Sequence, residues 1–98
     1  MTNVTITHQE NGSKGQYIAQ VEGFDEPAEL TYSRASDQLI IVDHTGVPDS
    51  LRGQGVGFAL AKRVVEDARS GSFKIIPLCP FFKAQAVRHP DWSDVVQG

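Results

Sequence analysis

Cysteine is nearly absent from this chain of 98 residues. Only Cys79 is present, so no internal disulfide framework can form, and a reducing compartment, the cytoplasm, is expected. Long apolar runs are missing, and with them any segment able to cross a bilayer as a helix. An excess of one charge is missing too: 9 Lys and Arg stand against 12 Asp and Glu, a net −3, with no run of like sign. Nucleic-acid binders are usually basic, so neither nucleic acid nor a membrane is expected as a partner. The first ten residues lack the cationic start and apolar stretch of a secretory signal. Repeats and linkers are absent, and the length suits a single domain, residues 1–98, with one core.

Two periodicities divide what is present. Val4, Ile6 and His8 alternate with polar residues, Asn11-Gly12 and Gly15 break the run, and Tyr17, Ala19 and Val21 alternate again, which predicts a hairpin. After a break at Gly23 to Pro27, Leu30 and Tyr32 predict a third strand. Ser33 to Asp37 read as a polar turn, and Leu39 to Val42 as a fourth strand, apolar on both sides and so expected to be covered on both faces. The first half therefore predicts an antiparallel meander of about four strands.

From Val56 the period changes: Val56, Leu60, Val64 and Ala68 recur every fourth position, the stripe of an amphipathic helix, closed by Gly71. Phe73, Ile75 and Ile76 predict a fifth strand, parallel to the fourth through a right-handed crossover. Pro77 cannot donate to a ladder, so the two strands are expected to splay there. Pro80 suits the first turn of a short last helix, Phe81 to Arg88, stopped by His89-Pro90, with Asp91-Trp92 in a terminal turn. The fold class expected is mixed α/β.

Between the fourth strand and the helix stands Arg52-Gly53-Gln54-Gly55-Val56-Gly57. Glycines let successive amides approach an anion without obstruction, and the helix dipole adds positive potential, a combination suited to a pyrophosphate with Arg52 at the entrance. A tight turn that merely seats the helix on the sheet is the plain alternative. A dinucleotide-binding turn would need glycine where Phe58 stands, and a P-loop would need Gly-Lys-Ser/Thr.

The stretch Val47 to Gly57 resembles the acetyl-CoA signature of the GNAT superfamily, Arg/Gln-x-x-Gly-x-Gly/Ala, with Arg52, Gly55 and Gly57 at its defining positions. The wider set His44-Thr45-x-Val47-Pro48, Pro77-x-Cys79 and Arg88-x-Pro90-x-Trp92 is similar to the short, single-domain branch called YjdJ-like or minimal acetyltransferases. The resemblance implies a GNAT-like fold and acetyl-CoA as co-substrate. It implies that Gly53, Gln54, Gly55, Val56, Gly57 and Phe58 hold the pyrophosphate through their amides, and that pantetheine runs beside Val47. Larger members insert helices after the first strand to clamp the acceptor; Glu10 to Gly15 leaves no room for them, so an open acceptor pocket, or one completed by a partner, is expected.

Moving an acetyl group from a thioester to an amine requires a base, donors to the carbonyl and an acid for the leaving thiolate. His44, late in the fourth strand, and Cys79, at the end of the fifth, are the candidates, and neighbouring parallel strands would let them meet. Each has a plainer reading, as a hydrogen-bonded strand histidine and as a small buried hydrophobe. The resemblance matches both to the side chains proposed as catalytic in that branch. Asp43 is expected on the opposite face from His44. Lys83 or Arg88 is the candidate to reach the cofactor's ribose phosphate, while Phe81 and Phe82 are expected to pack the last helix on the sheet, with one of them bordering pantetheine or adenine as the alternative. No metal is expected. The activity implied is acetyl-CoA-dependent N-acetyl transfer to an amine, a protein lysine or a small amine, by a monomer or weak homodimer. The rival is a non-catalytic acyl-CoA-binding or sensing module.

Overall fold

The computed structural model describes residues 3–97. Five strands, β1 (Val4–Asn11), β2 (Lys14–Val21), β3 (Ala28–Ser36), β4 (Leu39–Gly46) and β5 (Lys74–Pro77), form one sheet in the order of the chain. The first four are antiparallel and β5 runs parallel to β4, joined by α1 (Val56–Gly71); α2 (Pro80–Arg88) follows. Short 3-10 turns occupy Asp49–Leu51 and Pro90–Asp94.

Period two selects one face of the sheet. Tyr17, Ala19 and Val21, then Ala28, Leu30 and Tyr32, then Ile40 and Val42, and finally Ile75 are buried, and α1 sets Val56, Leu60, Ala61, Val64, Val65 and Ala68 against them. Each large aliphatic side chain so buried contributes about 1.5–3 kcal/mol. Phe82 of α2 and Trp92 join the same core.

Three expectations change. Ser33 to Asp37 is not a turn: β3 runs on through Ser36, and Asp37-Gln38 alone reverse the chain, because Ser33 pairs with Ile41 and Arg34 with Ile40. The Arg34 guanidinium fastens that end to the carbonyls of Ser36 and Asp37 at 3.2 and 3.4 Å. Gly15 does not break a strand but lies inside β2, where a Cβ would stand 2.2 Å from Cζ of Tyr32. Finally, β4 is covered fully on one face only. Ile40 and Val42 are buried, whereas Leu39 and Ile41, with Ile18 of β2 and Ile76 of β5, are half-buried, since so short a chain spends its helices on the other side.

The C-terminal segment protects the far edge of β5. Ile75 donates to the Val95 carbonyl (2.8 Å) and accepts from the Gln97 amide (2.9 Å), which closes an edge that would otherwise pair with another chain. Arg69 of α1 ties this segment down through Asp94 at 2.9 Å.

At the other end, Glu10, Tyr32, His8 and Tyr17 form a polar seam. Arg34 donates to Glu10 at 2.6 Å, the Tyr32 hydroxyl donates to Glu10 at 3.0 Å, and the His8 ring stacks on Tyr17 at 4.2 Å. The Arg34 hydrogen bond holds the Glu10 carboxyl below the usual glutamate range, and burial together with Glu10 pushes Tyr32 up to about 12.

Two predictions follow from these packings. Gly15→Ala forces Tyr32 aside and costs about 1–3 kcal/mol, lowering the thermal midpoint by several degrees. A lowered carboxyl stabilises the fold above the unfolded glutamate pKa and loses that contribution as pH falls through the folded value. Glu10→Gln should therefore be less stable than the parent at pH 7, with the gap closing below about pH 4, as read by thermal melts across pH.

Candidate active site

The site begins where the sheet's ladder stops. Pairing between β4 and β5 runs from Leu39–Lys74 to Val42–Pro77. Past Pro77 the chain turns toward α2, and the amides of both Leu78 and Cys79 converge on the Val42 carbonyl at 3.1 and 3.0 Å. β4 meanwhile continues to Gly46. The strands part as the proline argument requires, at the carboxyl ends where open α/β sheets bind ligands.

Beside this parting, the Asp49–Leu51 turn leads into the glycines. Gly53 and Gly55 adopt φ of 82° and 72°, left-handed values that cost another residue about 1–2 kcal/mol. A Cβ at either would meet nothing within 4 Å, so their glycine character serves the backbone course. The first bond of α1 runs from the Ala59 amide to the Gly55 carbonyl at 3.0 Å, which leaves the Val56, Gly57 and Phe58 amides as orphan donors at the positive end of the helix. No side chain caps this end, and its first turn carries no acid.

A cleft of about 650 Å³ lies over these amides, lined among others by Val47, Arg52, Gly53, Gly55, Val56, Gly57 and Phe58. Of the cofactor residues read from the sequence, Gln54 alone does not line it. Its amide donates instead to the Leu51 carbonyl at 3.2 Å, which shapes the turn. The Arg52 guanidinium is engaged by Asp49 at 3.0 Å, both well exposed. Gly57 has a second role: a Cβ there would stand 2.5 Å from the Phe81 ring, so glycine lets α2 approach α1.

Thr45, Leu51, Phe81, Gln85 and Arg88 also line the cleft. Phe81, Gln85 and Arg88 stand at i, i+4 and i+7 on α2, one stripe whose period was readable in advance. Phe81 thus borders the cleft while Phe82 is buried in the core. Arg88 reaches the cleft, whereas Lys83 lines a different cavity, near Pro77 and Trp92. Phe58, 37% exposed, adjoins His89 and Trp92, whose rings stack at 4.5 Å; Trp92 itself is buried, a lid on the core.

His44 and Cys79 are separated by a bulge in β4. Thr31 pairs with His44 and Tyr32 with Val42, so Asp43 is the extra residue. Asp43 lies on the half-exposed face, where it accepts from Thr31 at 2.6 Å and Ser33 at 3.2 Å. His44 follows on that same face, its Nε2 3.3 Å from where a Cβ on Gly46 would lie. The expectation that Asp43 and His44 point oppositely is corrected, because strict alternation fails across a bulge. Thr45 takes the core side, and there Cys79, only 4% exposed, donates to its hydroxyl at 3.4 Å. The partner Cys79 meets is therefore Thr45, not His44, and the expected meeting of the two candidates across adjacent strands is replaced by one on each side of the parting. Among the described residues, no group of three His, Cys, Asp or Glu side chains is placed to hold a metal.

A mixed sheet whose last two strands diverge beside an uncapped glycine turn defines a GNAT-like α/β domain. Residues 16–95 match the GCN5-related N-acetyl-transferase family. The solution structure of a GCN5-like protein from Staphylococcus aureus superposes with a TM-score of 0.74 at 40% identity, covering 100% of this chain and 92% of that one. Protein NATD1 of Gallus gallus is 24% identical over 85 residues, 87% of this chain and 77% of the relative. The chain belongs to the GCN5-related N-acetyltransferase family.

Because Phe81 is half-buried at the cleft wall, Gly57→Ala should relieve its clash by pushing that ring into the cleft. The expected outcome is coenzyme A affinity reduced at least tenfold with a smaller loss of thermal stability, read by calorimetric titration beside melting.

Proposed function

We propose that the protein transfers an acetyl group from acetyl-CoA to an amine. The observation that carries this reading is the single cleft joining the orphan amides of α1 to the parting of β4 and β5, with Thr45 in its lining and the buried Cys79 thiol hydrogen-bonded to Thr45. Its chemistry fits the cofactor: unpaired amides and Arg88 suit phosphates, while Val47, Leu51 and Phe81 offer apolar contact to a pantetheine arm.

The division of His44 and Cys79 between the two sides supports direct attack. His44 takes one proton from the acceptor ammonium, the amine nitrogen bonds to the acetyl carbon and sheds its second proton to water, the carbon–sulfur bond breaks, and Cys79 gives a proton to the departing thiolate; Cys79 is reprotonated from solvent and His44 returns its proton there. The exposure of His44 on the half-exposed face of the sheet gives the acceptor an open approach.

Intact mass and thiol release after incubation with acetyl-CoA and an amine test this in one experiment. Steady thiol release that falls by about 10²–10⁴ in His44→Ala, and less in Cys79→Ala, is the expected result. A gain of about 42 Da, one acetyl group, that vanishes in Cys79→Ala would replace direct attack by a cysteine relay. Binding of the cofactor with neither adduct nor thiol would favour the acyl-CoA-binding module. Bound coenzyme A should stabilise the fold by about 2.7 kcal/mol at one hundred times its dissociation constant, and no thermal shift at millimolar concentration would remove both readings.

A further inference from the structure

A second concavity, about 460 Å³, meets the cofactor cleft at Val47 and opens on the half-exposed face of the sheet. Its lining joins apolar Ile18, Pro27 and Pro48 to the carboxylates of Glu26 and Glu29. Neither carboxylate has an ion-pair or hydrogen-bond partner among the described residues, unlike Glu10, Asp43, Asp67 and Asp94, each held by a donor. His44 flanks this groove: a Cβ on Gly46, which lines it, would stand 3.3 Å from His44 Nε2 and 3.8 Å from Glu29 Cγ. The glycine thus keeps the space between base and carboxylate clear.

The groove combines three features rather than acidity alone. It is concave, it runs into the cofactor cleft, and it borders the histidine placed to accept a proton. Two unpaired carboxylates there favour a ligand with positive charge beyond the reacting ammonium, and the apolar walls suit the methylene stem that carries it.

Resting on the acetyl-transfer reading, we propose that the acceptor is a polycationic primary amine, bound in this groove with Glu29 and Glu26 as specificity-determining residues. A lysine flanked by further lysines and a free polyamine share this chemistry. The carboxylates draw the ammonium to His44 and hold the neighbouring charge, while the chemistry stays with the groups named above.

The test compares three acceptors, a blocked Lys-Lys-Lys peptide, a blocked Glu-Lys-Glu peptide and spermidine, by steady-state thiol release at saturating acetyl-CoA. In the Glu26→Gln/Glu29→Gln variant, KM for the cationic acceptors should rise at least tenfold with kcat nearly unchanged and with the thermal midpoint and coenzyme A affinity of the parent. Glu66→Gln, on the exposed side of α1, should change nothing. Preference between the lysine peptide and spermidine tells the two sources apart. Equal KM in parent and double variant, or equal use of Glu-Lys-Glu, would overturn the proposal. Anisotropy of labelled Lys-Lys-Lys with coenzyme A bound keeps the two readings separate. Binding weakened by the double variant without thiol release would leave the groove assigned and remove acetyl transfer; binding indifferent to the variant would remove the groove.

Discussion

The Val42 carbonyl is the point on which the arrangement turns. It accepts both the Leu78 and the Cys79 amides, which ends β5 while β4 still has four residues to run, Asp43 to Gly46. A parallel ladder carried to the end of β4 would seal the sheet with backbone hydrogen bonds and leave no opening toward the cleft. Pro77 helps to prevent this, since it brings no donor, and Pro80 commits the chain to a helix three residues later. The cleft, the position of Cys79 and the seat of Phe81 all descend from that early termination.

The bulge at Asp43 is the second determinant, because it decides which face each candidate side chain serves. Without it, simple alternation would put His44 on the core side and Asp43 alone on the open face. With it, Asp43 is held by Thr31 and Ser33, His44 stands beside Gly46 on the open face, and Thr45 turns inward to receive the Cys79 thiol. Bulges re-aim side chains near functional sites at the cost of a disrupted ladder. Here one inserted residue distributes a histidine and a thiol to either side of an opening only one strand wide.

Economy of chain explains the open face. α1 and the C-terminal segment use the apolar surface of one side, and the described residues supply no comparable cover for Ile18, Ile41 and Ile76. The tight turn at Gly12-Ser13 joins β1 to β2 directly, so the open side of the sheet carries a shallow groove rather than an enclosed pocket. Recognition on such a surface rests on charge, which acts over distance, more than on enclosure, which needs walls.

Local patterns in the chain determined the elements themselves: period two made the meander, the stripe from Val56 to Ala68 made α1, and glycines at 53 and 55 made a turn that other residues enter only with strain. The orphan amides at the start of α1 and most of the cleft lining were legible for the same reason, since they follow from a helix start and its neighbours in sequence. What tertiary structure alone decided involves residues distant along the chain. The partnership of Cys79 with Thr45, the slip at Asp43 that separates His44 from it, and the pressure of Tyr32 on Gly15 depend on register between strands. Register is set by the whole sheet settling against its core, and no local window of sequence contains it.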